Sequence, residues 1–260
     1  MFDIFVQTFI FTGLIILVLW VTSILIKDVS IIDTAFAPII LLITLFSVYL
    51  SNSSLFIKFT IFSFIFIWSV RLTLLMLQRK IGHGEDPRYT KLREWKDPGL
   101  DFNFFALKQV FLLQGVVIWC VTLPIQFLLT FSNVNYFSFF NYIGLLLMII
   151  GFLWEVIGDY QLNKFKKDIS NRNKFLKNGL WALSRHPNYF GEIVFWWGVF
   201  VFSILSPISL ISIIGPLVFT YLLINVTGVR TMDKRMAKNY EGYSEYIKIT
   251  NSIIPKFNIK

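Results

Sequence analysis

The sequence predicts an all-α fold: a polytopic membrane helix bundle of about seven transmembrane helices. Three observations predict it. Hydrophobic residues make up 56% of the chain and charged residues only 15%, against about 45–50% and about 25% in soluble domains. Aromatic residues, 29 Phe among them, exceed what a water-soluble core of this length can hide. The basic residues gather between the apolar runs, and only Lys58, Arg71 and Lys108 lie within them. Composition thus excludes a soluble enzyme, a disordered chain and a secreted disulfide scaffold. The single Cys120 excludes an internal disulfide and a cysteine-based metal cluster, and is expected as a small buried side chain.

A hydrocarbon core about 30 Å thick needs about 20 apolar residues in a helix. The runs that qualify are 4–26, 31–50, 55–77, 104–130, 137–158, 189–205 and 208–227, the last two separated only by Ser206-Pro207. No basic residue precedes the first run and no small-residue cleavage site follows it, so a retained first helix is expected. No internal repeat, low-complexity tract or separate soluble domain is expected, and the chain reads as one integral-membrane domain, 1–260.

Orientation follows from Lys and Arg, which favour the cytoplasmic side. Of the 24, 20 lie in 78–103, 159–187 and 228–260, while 51–54, 131–136 and 206–207 hold none. With seven spans those basic segments share one side, which puts the N-terminus outside and the C-terminus in the cytoplasm. The net charge of +9 therefore suits an anionic lipid surface or a phosphorylated ligand better than nucleic acid.

Ionisable residues inside apolar runs are costly and are functional candidates by default. Asp33, Arg71, Glu155, Asp159 and Glu192 are of this kind. Arg71 is near enough to a helix end to extend to the cytoplasmic face, and Asp33 could pair with Lys27 or cap its helix. Glu155 and Asp159 are four apart and share a helix face, which Asn163 and Lys166 or Lys167 continue past the membrane surface. Acid, acid, amide and base in that order suit ribose hydroxyls followed by a phosphate.

The stretch SRHPNYFGE (184–192) is the most informative. Pro187 suits the first turn of a helix, which puts Arg185 and His186 at its positive end as an anion site. Asn188 and Glu192 are i, i+4, and Gly191 allows close approach of a ring or a helix. In the tail, Tyr243 and Tyr246 can stack on a planar group or anchor at the interface. In the first basic loop, Glu85, Asp86, Arg88, Tyr89 and Arg93 form a dense polar group expected to close over a membrane-embedded site, and His83 reads as an ordinary loop residue. Dinucleotide, P-loop and zinc-protease motifs are absent, and two His cannot build a histidine-rich di-iron site.

These blocks taken together resemble the steroid 5-alpha-reductase superfamily of membrane proteins, in its uncharacterised bacterial branch. The matching residues are WSVRL (68–72), GEDPRY (84–89), the stretch from Glu155 through Asp159 and Gln161 to Phe165-Lys166, GLWALSRHPNYFGE (179–192) followed by a Trp pair, and the Tyr-rich tail ending in Ile-Pro. They run from about residue 30 to 256. The resemblance implies a helical bundle in a bacterial inner membrane, with a cytosol-facing NADPH site in 104–260 and the substrate side in 1–103. It implies Asp159 and Lys166 at the adenosine end, Asn188 and Glu192 along the nicotinamide side, and Arg235 and Tyr243 closing from the tail. Arg185, His186, Tyr189 and Tyr246 complete the cofactor set. The family's third-helix tyrosine, its proton donor, corresponds here to Trp68, which cannot donate in that way. Its Gln-Glu pair has no clear counterpart, Asp33 being the nearest polar residue.

The expected activity is NADPH-dependent reduction of a C=C bond in an apolar, steroid- or polyprenoid-like enone, with Glu85, Tyr89 or Glu192 as the acid. Expected partners are that lipid-like substrate and membrane lipids, with no nucleic acid, no metal and no obligate protein partner. The chain also resembles isoprenylcysteine carboxyl methyltransferases in its Arg-His-Pro-x-Tyr-x-Gly block, which leaves S-adenosylmethionine-dependent methyl transfer as an alternative. A non-catalytic lipid-binding scaffold is the third.

Overall fold

The computed structural model describes residues 3–82, 84–94, 100–132 and 136–257; His83 lies outside them. Among these residues every regular element is helical. Six helical stretches are long and apolar enough to cross a membrane: Asp3–Ile26, Ile31–Leu50, Leu55–Lys80, Phe102–Val121, Phe139–Lys167 and Pro207–Val226. The sequence suggested about seven. The difference is the helix Pro187–Phe202, whose 16 residues span about 24 Å at about 1.5 Å each, short of a hydrocarbon core about 30 Å thick. It ends where the Ser203 N–H turns back to Val199 O and Phe200 O. The apolar run 104–130 is not one helix either. It breaks at Thr122, because Pro124 brings no N–H and begins a new helix.

By its contacts the chain divides into two units, Met1–Tyr136 with Leu205–Gly215, and Phe137–Ile204 with Pro216–Lys260. The first holds α1 (Asp3–Ile26), α2 (Ile31–Leu50), α3 (Leu55–Lys80) and the short α4 (Pro87–Glu94). There follow α5 (Leu100–Ala106), a π-helical segment (Leu107–Leu112), α6 (Leu113–Val121) and α7 (Leu123–Phe131). Apolar faces of α2 and α3 pack through fully buried Ile40, Ile43, Ile61 and Ile65. Polar side chains join helices where lipid offers no partner: Thr8 Oγ1 donates to Gln126 Oε1 at 2.9 Å, and Ser69 Oγ to Ala37 O at 2.8 Å. The latter bond sits beside Pro38, inside α2. Cys120, expected buried, is half-buried and free.

The second unit is organised by α8 (Phe139–Lys167) and α10 (Pro187–Phe202), with the single turn α9 (Leu180–Leu183) between them. Ser138 starts α8 with a capping box. Its hydroxyl accepts from Asn141 N, and the Asn141 side chain returns to Ser138 N at 2.7 Å. Glycines recur every seven residues on both helices, at 144, 151 and 158 and at 191 and 198, and the backbones meet there. A Cβ at Gly144 would lie 2.3 Å from Phe202 N, at Gly151 2.4 Å from Phe195 N, and at Gly191 2.5 Å from Glu155 N. The pair is antiparallel, and its seam admits only small residues. From α11 (Ile214–Tyr221) the chain passes through the π-helical segment Leu222–Thr227 into α12 (Val229–Asn239) and α13 (Tyr243–Ile249).

Candidate functional site

The α8–α10 seam carries the buried polar face. Helix α8 runs unbroken through Lys167, so Glu155, Asp159, Asn163 and Lys166 do form one stripe. Glu155 and Asp159 are buried at 2% and 6% exposure, and Asn163 and Lys166 are exposed. Across the seam, Glu192 is 8% exposed, and Asn188 Nδ2 donates to Asp159 Oδ1 at 3.1 Å. The glycines explain the proximity, since Gly158 packs against the Asn188 backbone and Gly191 against that of Glu155. At the mouth of the stripe, Gln161 Oε1 accepts from Leu180 N at 3.0 Å, and Trp181 Nε1 donates to Gly158 O. Gly179 turns there with φ +64°, hard against the Gln161 amide.

Pro187 opens α10 with His186 as its N-cap. The Arg185 and His186 side chains turn to a carboxylate the sequence reading did not select. Arg185 Nη2 meets Asp233 Oδ2 at 2.7 Å, its Nε reaches both oxygens, and His186 Nε2 lies 3.1 Å from Oδ1. The Tyr243 hydroxyl donates to the same oxygen at 3.0 Å. Burial opposes ionisation of Asp233, but the hydrogen bonds from His186 and Arg185 outweigh it and hold the carboxyl well below the usual range. Burial, then the Asp233 charge, pushes the Tyr243 phenol up.

The tail is tied in as backbone. Arg185 Nη1 donates to Ile247 O and Thr250 O, and Arg185 N and His186 N donate to Asn251 O and Ser252 O. Tyr246, also buried, donates to Trp181 O. Phe175 packs against the rings of Tyr240, Tyr243 and Tyr246, with centroids at 6.2, 5.0 and 5.3 Å. Tyr189 lies nearly parallel to the His186 imidazole, at 12°. Of the residues named from sequence in this unit, the seam gathers Asp159, Asn188 and Glu192. Asp233 gathers Arg185, His186 and Tyr243, and Lys166 and Arg235 are on the exposed surface.

The first unit holds the other named residues. Tyr89, 8% exposed, donates to Asp33 Oδ1 at 3.0 Å, and Gln114 Nε2 lies 3.4 Å from both. Arg88 Nη2 bonds Asp33 Oδ2 at 2.8 Å, and Arg88 Nε bonds Asp86 Oδ1 at 3.0 Å. Asp33 is therefore the partner of Arg88 and Tyr89, and Lys27 is not its counter-ion. Burial raises the Tyr89 phenol, and the Asp33 charge raises it further. Glu85 is occupied: Arg93 bonds it at 2.9 Å, and Oε1 also accepts from Val29 N at 2.8 Å. The dense polar group of the first basic loop is thus a set of matched pairs.

Three features were not anticipated. Asp233 gave no local signal, because its partners His186 and Arg185 are 47 and 48 residues away. Gln114 sits in an apolar run with no spacing to mark it. The glycine seam was in plain view as a seven-residue spacing. Among the described residues, no group of three His, Cys, Asp or Glu could hold a metal ion.

Comparison with known proteins follows the same boundaries. Residues 19–252 match the family described as Protein of unknown function (DUF1295), which lies in the steroid 5-alpha-reductase-like group. An uncharacterized protein of Schizosaccharomyces pombe is 25% identical over 167 residues, covering 56% of this chain and 48% of its own. The chain thus spans about half the length of the curated relative it matches. No solved structure matches. With nearly all its length inside that match and six apolar helices of membrane-crossing length, the chain is an integral multi-pass membrane protein that belongs to the DUF1295 family.

Proposed function

We propose that the protein is a membrane-embedded, NADPH-dependent reductase of a C=C bond in an apolar, lipid-like enone. The observation that carries this is the α8 stripe: buried Glu155 and Asp159 beside Asn188, continued on the same helix by exposed Asn163 and Lys166. Carboxylates and an amide accept from and donate to ribose hydroxyls. Lys166, about 10 Å further along the helix, has the charge for a phosphate, and Lys164, Lys167, Lys174 and Lys177 add to it. Arg185 and His186 leave the phosphate-binding set, because Asp233 neutralises them. We read Arg235, Tyr189 and Tyr246 as lining residues, and Tyr243 as acting through Asp233. The basic segments belong, in this reading, to the cytoplasmic face, with α10 as a short seventh crossing.

Bound NADPH supplies a hydride to the β-carbon of a polarised C=C bond. The enolate that would result takes a proton from an acid of the chain at its oxygen. The enol then gains a proton at the α-carbon from water and releases the O–H proton, which completes the saturated ketone. The candidate acids are Glu85, Tyr89 and Glu192, and of the two in the first unit Tyr89 fits better. Glu85 is held by Arg93 and Val29, and Glu192 lies within the cofactor face. Burial and the Asp33 charge raise the Tyr89 phenol above its ordinary value, so it yields its proton to a basic oxygen such as an enolate. Asp33 and Gln114 fix its hydroxyl, and Arg88 balances the Asp33 charge.

One observation favours a second reading. With Arg185 and His186 on Asp233, the start of α10 offers no free cation, which suits a cofactor without phosphate, S-adenosylmethionine, and methyl transfer. Thermal shift of the detergent-purified chain with NADPH, NADH and S-adenosylmethionine separates the two. A ligand at a hundredfold excess over Kd adds about 2.7 kcal/mol. Stabilisation by NADPH that weakens in Asn188→Ala and Lys166→Ala is expected. A response to S-adenosylmethionine alone would replace the reductase with the methyltransferase, and no response to any would leave a lipid-binding scaffold.

A further inference from the structure

Helix α1 ends in a turn that glycine ordinarily makes. Lys27 has φ +55°, and Asp28 N–H reaches back to Ser23 O at 3.0 Å. That bond closes a Schellman-type cap with Lys27 in its left-handed position. A side chain there is strained where glycine is not, and such strain is retained where the side chain is used.

The surroundings indicate the use. A cavity of about 250 Å³ opens beside the turn, its walls including Trp20, Ser23, Ile24, Lys27, Arg93 and Asn103. The charges near it are already matched: Asp28 pairs with Lys80, and Glu85 pairs with Arg93. Arg93 is further fixed over the Phe102 ring at 4.2 Å. Lys27 is exposed and has no ion pair among the described residues. Among the described residues the cavity therefore presents one uncompensated positive charge, Lys27, at the end of a membrane-length helix. Trp20, its indole N–H on Asn103 O at 2.9 Å, is the residue type that collects at such boundaries. From the cavity wall, Ile24 continues along its helix face through Val21 and Leu17, which are 48% and 43% exposed.

We propose that this cavity binds the headgroup of an anionic phospholipid, with the Lys27 ammonium on the phosphate and an acyl chain along Ile24, Val21 and Leu17. The volume is below the roughly 300 Å³ at which drug-sized pockets begin and suits a phosphoglycerol head. The apolar strip and the position at a helix end select a lipid over a free phosphate. The site is separate from the proposed reductase chemistry and stands without it.

The test is native mass spectrometry of the full chain in detergent, titrated with phosphatidylglycerol, phosphatidylcholine or glycerol phosphate, on the wild type, Lys27→Gly and Lys27→Arg. Wild type and Lys27→Arg retain one phosphatidylglycerol in preference to phosphatidylcholine, and Lys27→Gly binds it roughly fivefold more weakly, as one lost cation near the surface predicts. Lys27→Gly without lipid melts no lower than wild type, because glycine relieves the turn, so its loss of lipid cannot be misfolding. Equal retention by Lys27→Gly, equal binding of phosphatidylcholine, or glycerol phosphate binding as tightly as the lipid would each overturn the proposal.

Discussion

Both units fix their polar side chains on carboxylates, but they distribute the charge in opposite ways. In the first unit Asp28, Asp33, Glu85 and Asp86 share Lys80, Arg88 and Arg93 as close pairs, several of them half-exposed; Arg88 remains 54% exposed. In the second, one carboxylate with 15% side-chain exposure, Asp233, takes Arg185, His186 and Tyr243 together. Exposed pairs contribute about 0–1 kcal/mol each and can be lost singly. A hub of this kind cannot be, because removing it strands an arginine whose side chain is only 9% exposed. The first arrangement holds Asp33 through Arg88, Tyr89 and Gln114 together, so that none of the three is indispensable to it. The second serves assembly of the RHP turn with the tail.

Breaking the hub gives the largest expected effect. Asp233→Ala leaves Arg185 charged and buried with only the Ile247 and Thr250 carbonyls. That costs about 3 kcal/mol, roughly 6–12 °C in melting temperature for a chain of this size. The sign of the pH dependence follows from the depressed carboxyl. Its contribution is complete above the ordinary carboxylate range, about pH 4, and is lost as pH falls through the lower folded-state pKa. Wild type should therefore lose stability in strong acid by an increment that Asp233→Asn lacks. Acid melting curves that coincide for the two would remove Asp233 from its place as the hub.

The difference between the units also explains what the sequence made legible. Helices α1 to α3 follow from apolar runs with boundaries close to those found. The continuation of α8 beyond the membrane follows from the Glu155 to Lys166 spacing, and Pro187 marks the start of α10. GEDPRY was visible as a polar group because its members are neighbours in the chain. The pairing of Arg185 with Asp233 was not legible for the opposite reason: its partner is a tail residue, and no local pattern joins positions 48 apart. Hydropathy shows the apolar run at 189–205 but not the turn at Ser203 that ends its helix, so six helices and not seven reach membrane-crossing length. The heptad of glycines is readable in the sequence, but it marks a close backbone approach and not an apolar face, so hydropathy gives no sign of it.

A smaller change sharpens the functional half of the contrast. Tyr89→Phe removes a hydroxyl from Asp33 and Gln114 and costs about 1 kcal/mol, since Arg88 still holds Asp33. If Tyr89 protonates the enolate, reduction of an enone substrate falls by about 10²-fold or more while NADPH-dependent thermal stabilisation is kept. A merely structural Tyr89 would lower the melting temperature and leave turnover per folded molecule unchanged.

The smallest expected effect is the most direct check on the distributed arrangement. Arg88→Ala deletes a guanidinium that touches both Asp33 and Asp86, so a hub model of the first unit would predict a loss as large as that of Asp233→Ala. Arg88 is half in water, however, and both acids can be solvated when it goes. Tyr89 and Gln114 also still donate to Asp33, and Arg88 N still donates to Asp86 at 2.8 Å. The stability loss is therefore about 0.5 kcal/mol, and it shrinks further in high salt because the pair is accessible to ions. The variant does expose one consequence for chemistry. With Arg88 absent, the Asp33 charge next to Tyr89 is no longer balanced, which holds the phenolic proton more tightly and slows its transfer. Arg88→Ala should thus lower turnover more than it lowers stability, with the deficit partly recovered in Arg88→Lys, a pattern that Asp233→Ala reverses.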